Sequence, residues 1–320
     1  MSSSAEAVSH KFLKSPLTVG IIGAAFSGGQ PRGGVEQGPA RLVEHGLIDQ
    51  IKSLGWNVDF DEKFPTYENL KPEAEEDRVH GILKNVAHVA HVTKSVAESV
   101  EKVVKSGALA LTLGGDHSLA MGTVGGSARV HKNVGVIWVD AHADINTPLT
   151  TDTGNLHGCP VSFLMGLKGT ENIRGFEWLP PCLPKNRIVY IGLRDVDAPE
   201  KRILKENNIK AFSMHDVDKH GIGTIVQKAI DYLGADSPIH LSFDVDALDP
   251  TVAPATGTPV RGGLTFREGH YICEALFETG NLVAVDIMEV NPLLGEQTYV
   301  MQTLQIGCSL ARAAMGETLL

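Results

Sequence analysis

Short runs of β-branched and other apolar residues punctuate the chain. They fall at 17–25 (LTVGIIGAA), 108–113 (ALALTL), 134–139 (VGVIWV), 187–192 (RIVYIG), 238–243 (PIHLSF) and 281–288 (NLVAVDIM), with weaker candidates at 55–60 and 209–212. Runs of this length, apolar on both faces, predict the buried strands of a parallel sheet. Between them the spacing turns helical. Val86, Val89, Val96, Val100, Val103 and Val104 fall largely on one stripe of 80–106, and 38–53, 117–130, 198–207, 220–234, 265–279 and 297–314 share that character. Strand–helix alternation predicts βαβ units with helices on both faces of an open sheet. A closed eight-stranded barrel is the competing arrangement.

Polar clusters sit where the strand runs end. GGDH follows 108–113, DAHAD follows 134–139, DVD follows 238–243, and Glu289 follows 281–288. Ligand sites of open α/β sheets form at the carboxyl ends of strands, so these chain-distant clusters are expected to converge on one rim. In Asp140-Ala141-His142-Ala143-Asp144, an extended backbone would turn both carboxylates and the imidazole to one side. Asp244-Val245-Asp246 repeats the idea, and the glycines before His117 permit a bend that turns its ring inward. A lone D-x-D is common and a lone buried His is usually a satisfied core residue. Three such clusters, each after a buried strand, need a different explanation: packed carboxylates repel, and cations relieve them. Together, His117, Asp140, His142, Asp144, Asp244 and Asp246 offer more donors than one open catalytic metal needs. Two ions bridged by carboxylates are expected, and an oxygen-rich set suits a hard ion such as Mn(II).

The bulk numbers narrow the partners. The 320 residues carry a net charge of −10, which argues against nucleic acid, whose phosphates need clustered Lys and Arg. With 42% apolar residues and no linker-like stretch, one domain over 1–320 is expected, its first residues, 1–14, forming a flexible segment. Cys159, Cys182, Cys273 and Cys308 form no C-x-x-C, as in reduced cytosolic proteins. No run approaches the ~20 apolar residues of a membrane span. A cytoplasmic protein without a membrane partner is the expectation. The stretch Gly28-Gly29-Gln30-Pro31-Arg32-Gly33-Gly34 lacks a phosphate-loop pattern and reads as a turn at the rim of the site.

Long blocks of the chain resemble the ureohydrolase family, and within it the arginases. They are GAAFSGGQPRGGVEQGP, GGDHSLAMGT, VDAHADINTPLTTDTGNLHGCPVSF, IGLRDVD, SFDVDALDPTVAPATGTPVRGGLTFREG and VDIMEVNP. The resemblance implies a three-layer α/β/α fold with an eight-stranded, mostly parallel sheet. It implies a homotrimer, two Mn(II) ions per subunit, and hydrolysis of L-arginine to L-ornithine and urea by a hydroxide bridging the ions. It also implies the ligand sets: His117, Asp140, Asp144 and Asp244 for one ion, and His142, Asp140, Asp244 and Asp246 for the other. A ureohydrolase of agmatine or another guanidino compound, and an inactive metal-binding relative, are the alternatives.

Chemistry assigns further roles. Asp144 is expected to orient the attacking water. His157, in Gly154-Asn155-Leu156-His157-Gly158, is the candidate for protonating the departing amine, since imidazole titrates near neutral pH. Glu289 is placed to pair with the guanidinium, an arrangement the resemblance also implies. Thr258 adds a hydrogen bond near the metals. By resemblance, Asn146, Thr153 and Asn155 bind the α-carboxylate of the substrate, and Asp197, with Glu200 nearby, its α-amino group. Asp152 would oppose carboxylate binding unless it points outward. The histidines His88, His91, His215 and His270 read as surface or helix residues without chemical roles.

Overall fold

The computed structural model describes residues 8–73 and 81–318. Eight strands, β1 (Thr18–Ala24), β2 (Asn57–Asp59), β3 (Leu109–Gly114), β4 (Gly135–Val139), β5 (Ile188–Leu193), β6 (Lys210–Ser213), β7 (Ile239–Asp244) and β8 (Leu282–Met288), form one open sheet. Every pairing is parallel and the order is β2-β1-β3-β8-β7-β4-β5-β6, so the barrel is excluded. Along most of each strand, residues alternate between two cores. Leu109, Leu111, Leu113, Ile137, Val139, Val189 and Ile191 join one. Ala110, Val136, Trp138, Ile188 and Tyr190 join the other. Both faces are therefore covered, which is why the strand runs are apolar throughout.

The first face packs against α1 (Gly38–Glu44), α2 (Leu47–Ser53), α7 (Met214–His220), α8 (Ile222–Leu233), α9 (Phe266–Glu278) and α10 (Gln297–Ala314). The second packs against α3 (Val86–Ser106), α4 (Ala120–Val130), α5 (Pro160–Met165) and α6 (Ala198–Glu206). The result is the expected α/β/α sandwich. Residues 1–7, within the segment expected to be flexible, lie outside the described residues. Residues 8–14 correct that expectation: Leu13 is in the core, Lys11 N–H donates to Gly280 O at 2.9 Å, and the His10 ring stands edge-on to Trp56 and Phe277.

Among the described residues no helix is long and apolar enough to cross a membrane.

Candidate metal centre and active site

The carboxyl ends of β3, β8, β7 and β4 are neighbours in the sheet, and each delivers ligands to the same rim. After β3, Gly115 lies so near Phe26 that an added Cβ would sit 1.8 Å from its carbonyl oxygen. The tight passage leads into a 3-10 turn, His117–Leu119, capped by the Asp116 carboxylate, which accepts Ser118 N–H. His117 stacks on Trp138 at 4.1 Å between centroids and is fully buried. Its Nδ1 faces Asp140 Oδ2 at 3.2 Å, Asp144 Oδ2 at 3.4 Å and Asp244 Oδ2 at 3.2 Å. Nδ1 nonetheless has no hydrogen-bond partner. An imidazole nitrogen aimed between three carboxylate oxygens is the geometry of a metal ligand.

The segment after β4 does not converge as an extended strand. The chain bends at Ala141 and His142, and Asp144 takes a left-handed conformation, φ 50°. The bend brings His142 Nδ1 to 3.3 Å from Asp140 Oδ1 and 3.1 Å from Asp246 Oδ2. Two groups of potential ligand atoms result, His117–Asp140–Asp244 and Asp140–His142–Asp246, sharing Asp140. Asp144 stands beside the first. Asp244 Oδ1 accepts Asp246 N–H at 2.8 Å, while its Oδ2 faces His117. The first carboxylate is oriented by Trp138, whose Nε1–H donates to Asp140 Oδ2 at 2.9 Å. The Thr258 hydroxyl donates to Asp246 Oδ2 at 2.9 Å, so its contact is with a ligand candidate.

Electrostatics follow from this crowding. Burial, with Asp140 as neighbour, pushes the Asp144 carboxyl well above the usual carboxylate range. Burial does the same to Asp244, with Asp246 and Asp140 adding to it. Burial opposes the charge on Asp140 too, but His117 and His142 hold its carboxyl below the usual range. Burial lowers both imidazoles, and the carboxylates more than reverse that. Divalent cations among these groups would let every carboxylate stay ionised. The orphaned Nδ1 and the oxygen-rich donors thus fit a pair of hard metal ions.

Above the ligands opens a cleft of about 360 Å³. It is lined by Asp144, Asp152, Asp195, Asp197, Glu200, Asp244 and Asp246 with His142 and His157 and, among the described residues, by no lysine or arginine. Asn146, Thr153, Asn155 and Thr258 also line it. Asn146 Nδ2 donates to Asp197 Oδ2 at 3.0 Å, which places the expected carboxylate and amine readers side by side. Asn155 accepts from Lys84 Nζ at 3.2 Å. Glu200 is buried, and its two oxygens accept Ile145 N–H at 3.1 Å and Asp197 N–H at 3.0 Å. It braces two cleft segments through a capping box at the start of α6. Asp152 is exposed to solvent but lines the same cleft as Asn146, Thr153 and Asn155.

Glu289 is buried on the floor in a left-handed conformation, φ 64°. Its Oε1 accepts His117 N–H at 2.9 Å and its Oε2 accepts Gln30 Nε2 at 3.2 Å. His157 Nδ1 lies 3.6 Å from Glu289 Oε1. Burial lowers the His157 pKa, but Glu289 and Asp116 carry it above its ordinary value. The glycine-rich stretch after β1 wraps this floor: Gly29 N–H donates to Asp116 Oδ2 at 2.8 Å, and Gly29 O accepts His157 N–H.

Most of the expected site residues thus line one cleft, while His117, Asp140 and Glu289 are buried against residues that line it. Sequence reasoning missed Gln30, Asp116, Trp138, Asp195 and Ser242. Asp116 and Asp195 adjoin motif residues and were findable as further carboxylates. Gln30 lies in the stretch read as a turn at the rim, though nothing local gave it a role, and nothing local marks Ser242; both act through contacts distant in the chain. His88 and His270 are satisfied, by Tyr67 O and by Phe266 O and Ser309. His91 bonds Leu70 O, and His215 is exposed on α7.

A model of the Arginase family matches residues 17–316. An arginase of Glaciozyma antarctica is 58% identical over 313 residues, spanning 97% of this chain and 90% of its own. Human Arginase-1 is 51% identical over 305 residues, 93% of each chain. The crystal structure of a cold-adapted arginase from the psychrophilic yeast Glaciozyma antarctica superposes with a TM-score of 0.79 at 50% identity, covering 98% of this chain and 99% of that one.

Proposed function

The chain belongs to the arginase family, a family of binuclear metal enzymes, and hydrolyses L-arginine to L-ornithine and urea; from that premise we propose how its own residues do so. His117, Asp140, Asp144 and Asp244 would hold one manganese(II) ion. His142, Asp140, Asp244 and Asp246 would hold the other. When bound, the ions lower the pKa of water toward about 7, supplying a nucleophile at neutral pH. The observation that carries this reading is the pair of ligand clusters sharing Asp140, with the unbonded His117 Nδ1 between carboxylates.

The acid-lined cleft attracts a cationic substrate. Glu289 receives the guanidinium: each of its oxygens already accepts one donor, and a carboxylate has about four lone-pair positions, so two remain for guanidinium N–H groups. Asp144 accepts a hydrogen of the attacking water and holds it toward the guanidinium carbon. As the water oxygen bonds to the guanidinium carbon the C–Nε bond breaks; His157, whose pKa Glu289 and Asp116 raise, gives a proton to the leaving amine, and Asp144 takes the proton that the oxygen sheds. Asn146, Thr153 and Asn155 read the α-carboxylate. Asp197, braced by Glu200, reads the α-amino group. A site built to hydrogen-bond a group rejects an analogue lacking it, because its own polar atoms are left unpaired. The enzyme is one domain, works in the cytoplasm and assembles as a homotrimer; its four cysteines stand unpaired, in keeping with a reducing compartment.

The test is urea release from purified, manganese-loaded protein given arginine or agmatine. Arginine is hydrolysed, and kcat/KM for agmatine is lower by at least about a hundredfold. Equal turnover of both would overturn the specificity reading. Full turnover by metal-free protein would overturn the two-ion reading.

A further inference from the structure

The wall behind His117 holds a polar network that the reaction does not touch. Ser242 and Asp286 stand side by side in the β7–β8 register, and both are sealed from solvent. Asp286 Oδ2 gathers three donors: Thr123 Oγ1 at 2.6 Å, His240 Nε2 at 2.8 Å and Ser242 Oγ at 3.2 Å. On the far side, His240 Nδ1 lies 2.9 Å from Ser127 Oγ, so α4 closes the network.

The directions of these bonds reach the metal site. A carboxylate only accepts, so the single hydroxyl hydrogen of Ser242 points to Asp286. The Ser242 oxygen is then free to accept, and the nitrogen 2.9 Å away, His117 Nε2, must carry a hydrogen. A neutral ring with its hydrogen on Nε2 has its lone pair on Nδ1, the atom that faces Asp140, Asp144 and Asp244. His142 has no part in this chain; its Nε2 faces Asp195 at 3.8 Å.

We infer that Asp286, acting through Ser242, fixes the tautomer and orientation of His117 and thereby sets the affinity of the ion at His117, and not that of the ion at His142. Asp286 is a positioning residue, since it touches neither ion nor substrate. The inference rests on the two-ion reading above. Partners of this kind contribute about 10–100-fold to metal affinity.

The test is calorimetric titration of metal-free protein with manganese(II), together with thermal melts of the metal-free chains. The native chain binds two ions. Asp286→Asn, folded by its melt, binds one with native affinity and the other about 10–100-fold more weakly. Ser242→Ala does the same, and it decides the matter if Asp286→Asn does not fold. Because one residue acts through the other, the double variant binds no more weakly than Ser242→Ala alone. A folded variant with both affinities native, equal weakening of both ions, or additive losses would each overturn the inference. A native chain that binds fewer than two ions would instead overturn the two-ion reading, and the inference with it.

Discussion

Asp144 and Glu289 both occupy the left-handed region, at φ 50° and φ 64°. For a residue with a β-carbon this is a strained conformation, of order 1–3 kcal/mol, sustained only when surroundings over-determine it. Here both carboxylates are set against His117, Asp144 Oδ2 at 3.4 Å from its Nδ1 and Glu289 Oε1 accepting its N–H. Glu289→Gln keeps the shape but removes the charge, and kcat/KM for arginine is expected to fall about thirtyfold or more, as for truncating a buried charge pair. A steady-state assay at saturating manganese checks this. Glu200 supplies a pH signature. Burial raises its carboxyl from 4.5 to about 7 in the folded chain. A raised acid contributes stability below its unfolded pKa and loses it as pH climbs through the folded value. In metal-free protein, the stability of the native chain relative to Glu200→Gln should therefore decline between pH 4.5 and pH 7, by up to roughly 3 kcal/mol at about 1.4 kcal/mol per unit. Urea denaturation across that range measures it, and a flat difference would refute it. The ligands were legible because each follows a strand run. The left-handed bends that aim them were not, since neither Asp nor Glu announces a positive φ.

Helix α4 works on both of its sides. One side presses on α3 at Gly122 and Gly126, where an added Cβ would lie 2.4 Å from Thr93 O and 2.6 Å from Ala97 O. The other presents Thr123 and Ser127 to the buried Asp286 and His240. Gly126→Ala must push the helices apart and is expected to cost about 1–3 kcal/mol in chemical denaturation. Arg194, after β5, gathers the carbonyl oxygens of Gly192, Asp246, Ala247, Leu248 and Val260 with one guanidinium. Arg194→Ala leaves these acceptors unpaired and frees the turn carrying Asp246. Stability should drop by about 2–4 kcal/mol, and manganese affinity with it, as melts and titration would show. At this scale the sequence was readable for all strands and the long amphipathic helices. The expected helix 38–53 is interrupted at Gly46, φ 88°, and 220–234 begins only after Gly221, φ 75°. The short α5 and α7 went unread: one is buried on every side and the other buries only Val217, so neither has a periodic stripe.

For the molecule as a whole, the crowded carboxylates make metal and fold interdependent. An ion that binds only the folded chain stabilises it by about 2.7 kcal/mol when present at a hundred times its Kd. Chelation should therefore lower the melting temperature, and returned manganese should restore it; an unchanged melt would contradict the ligand assignment. The sandwich itself was legible because apolar runs on both faces leave few alternatives. Strand order was not, since nothing in 281–288 says that this run inserts mid-sheet.

That insertion has a consequence for how the protein is made. The strand formed last joins β3 on one flank to β7 on the other, so two half-sheets meet only when residues 282–288 have arrived. A nascent chain halted before them carries all six proposed metal-binding side chains yet lacks the seam that brings them into register. During translation a pair of raw strand edges therefore stays exposed, open to mispairing, until residues 282–288 emerge.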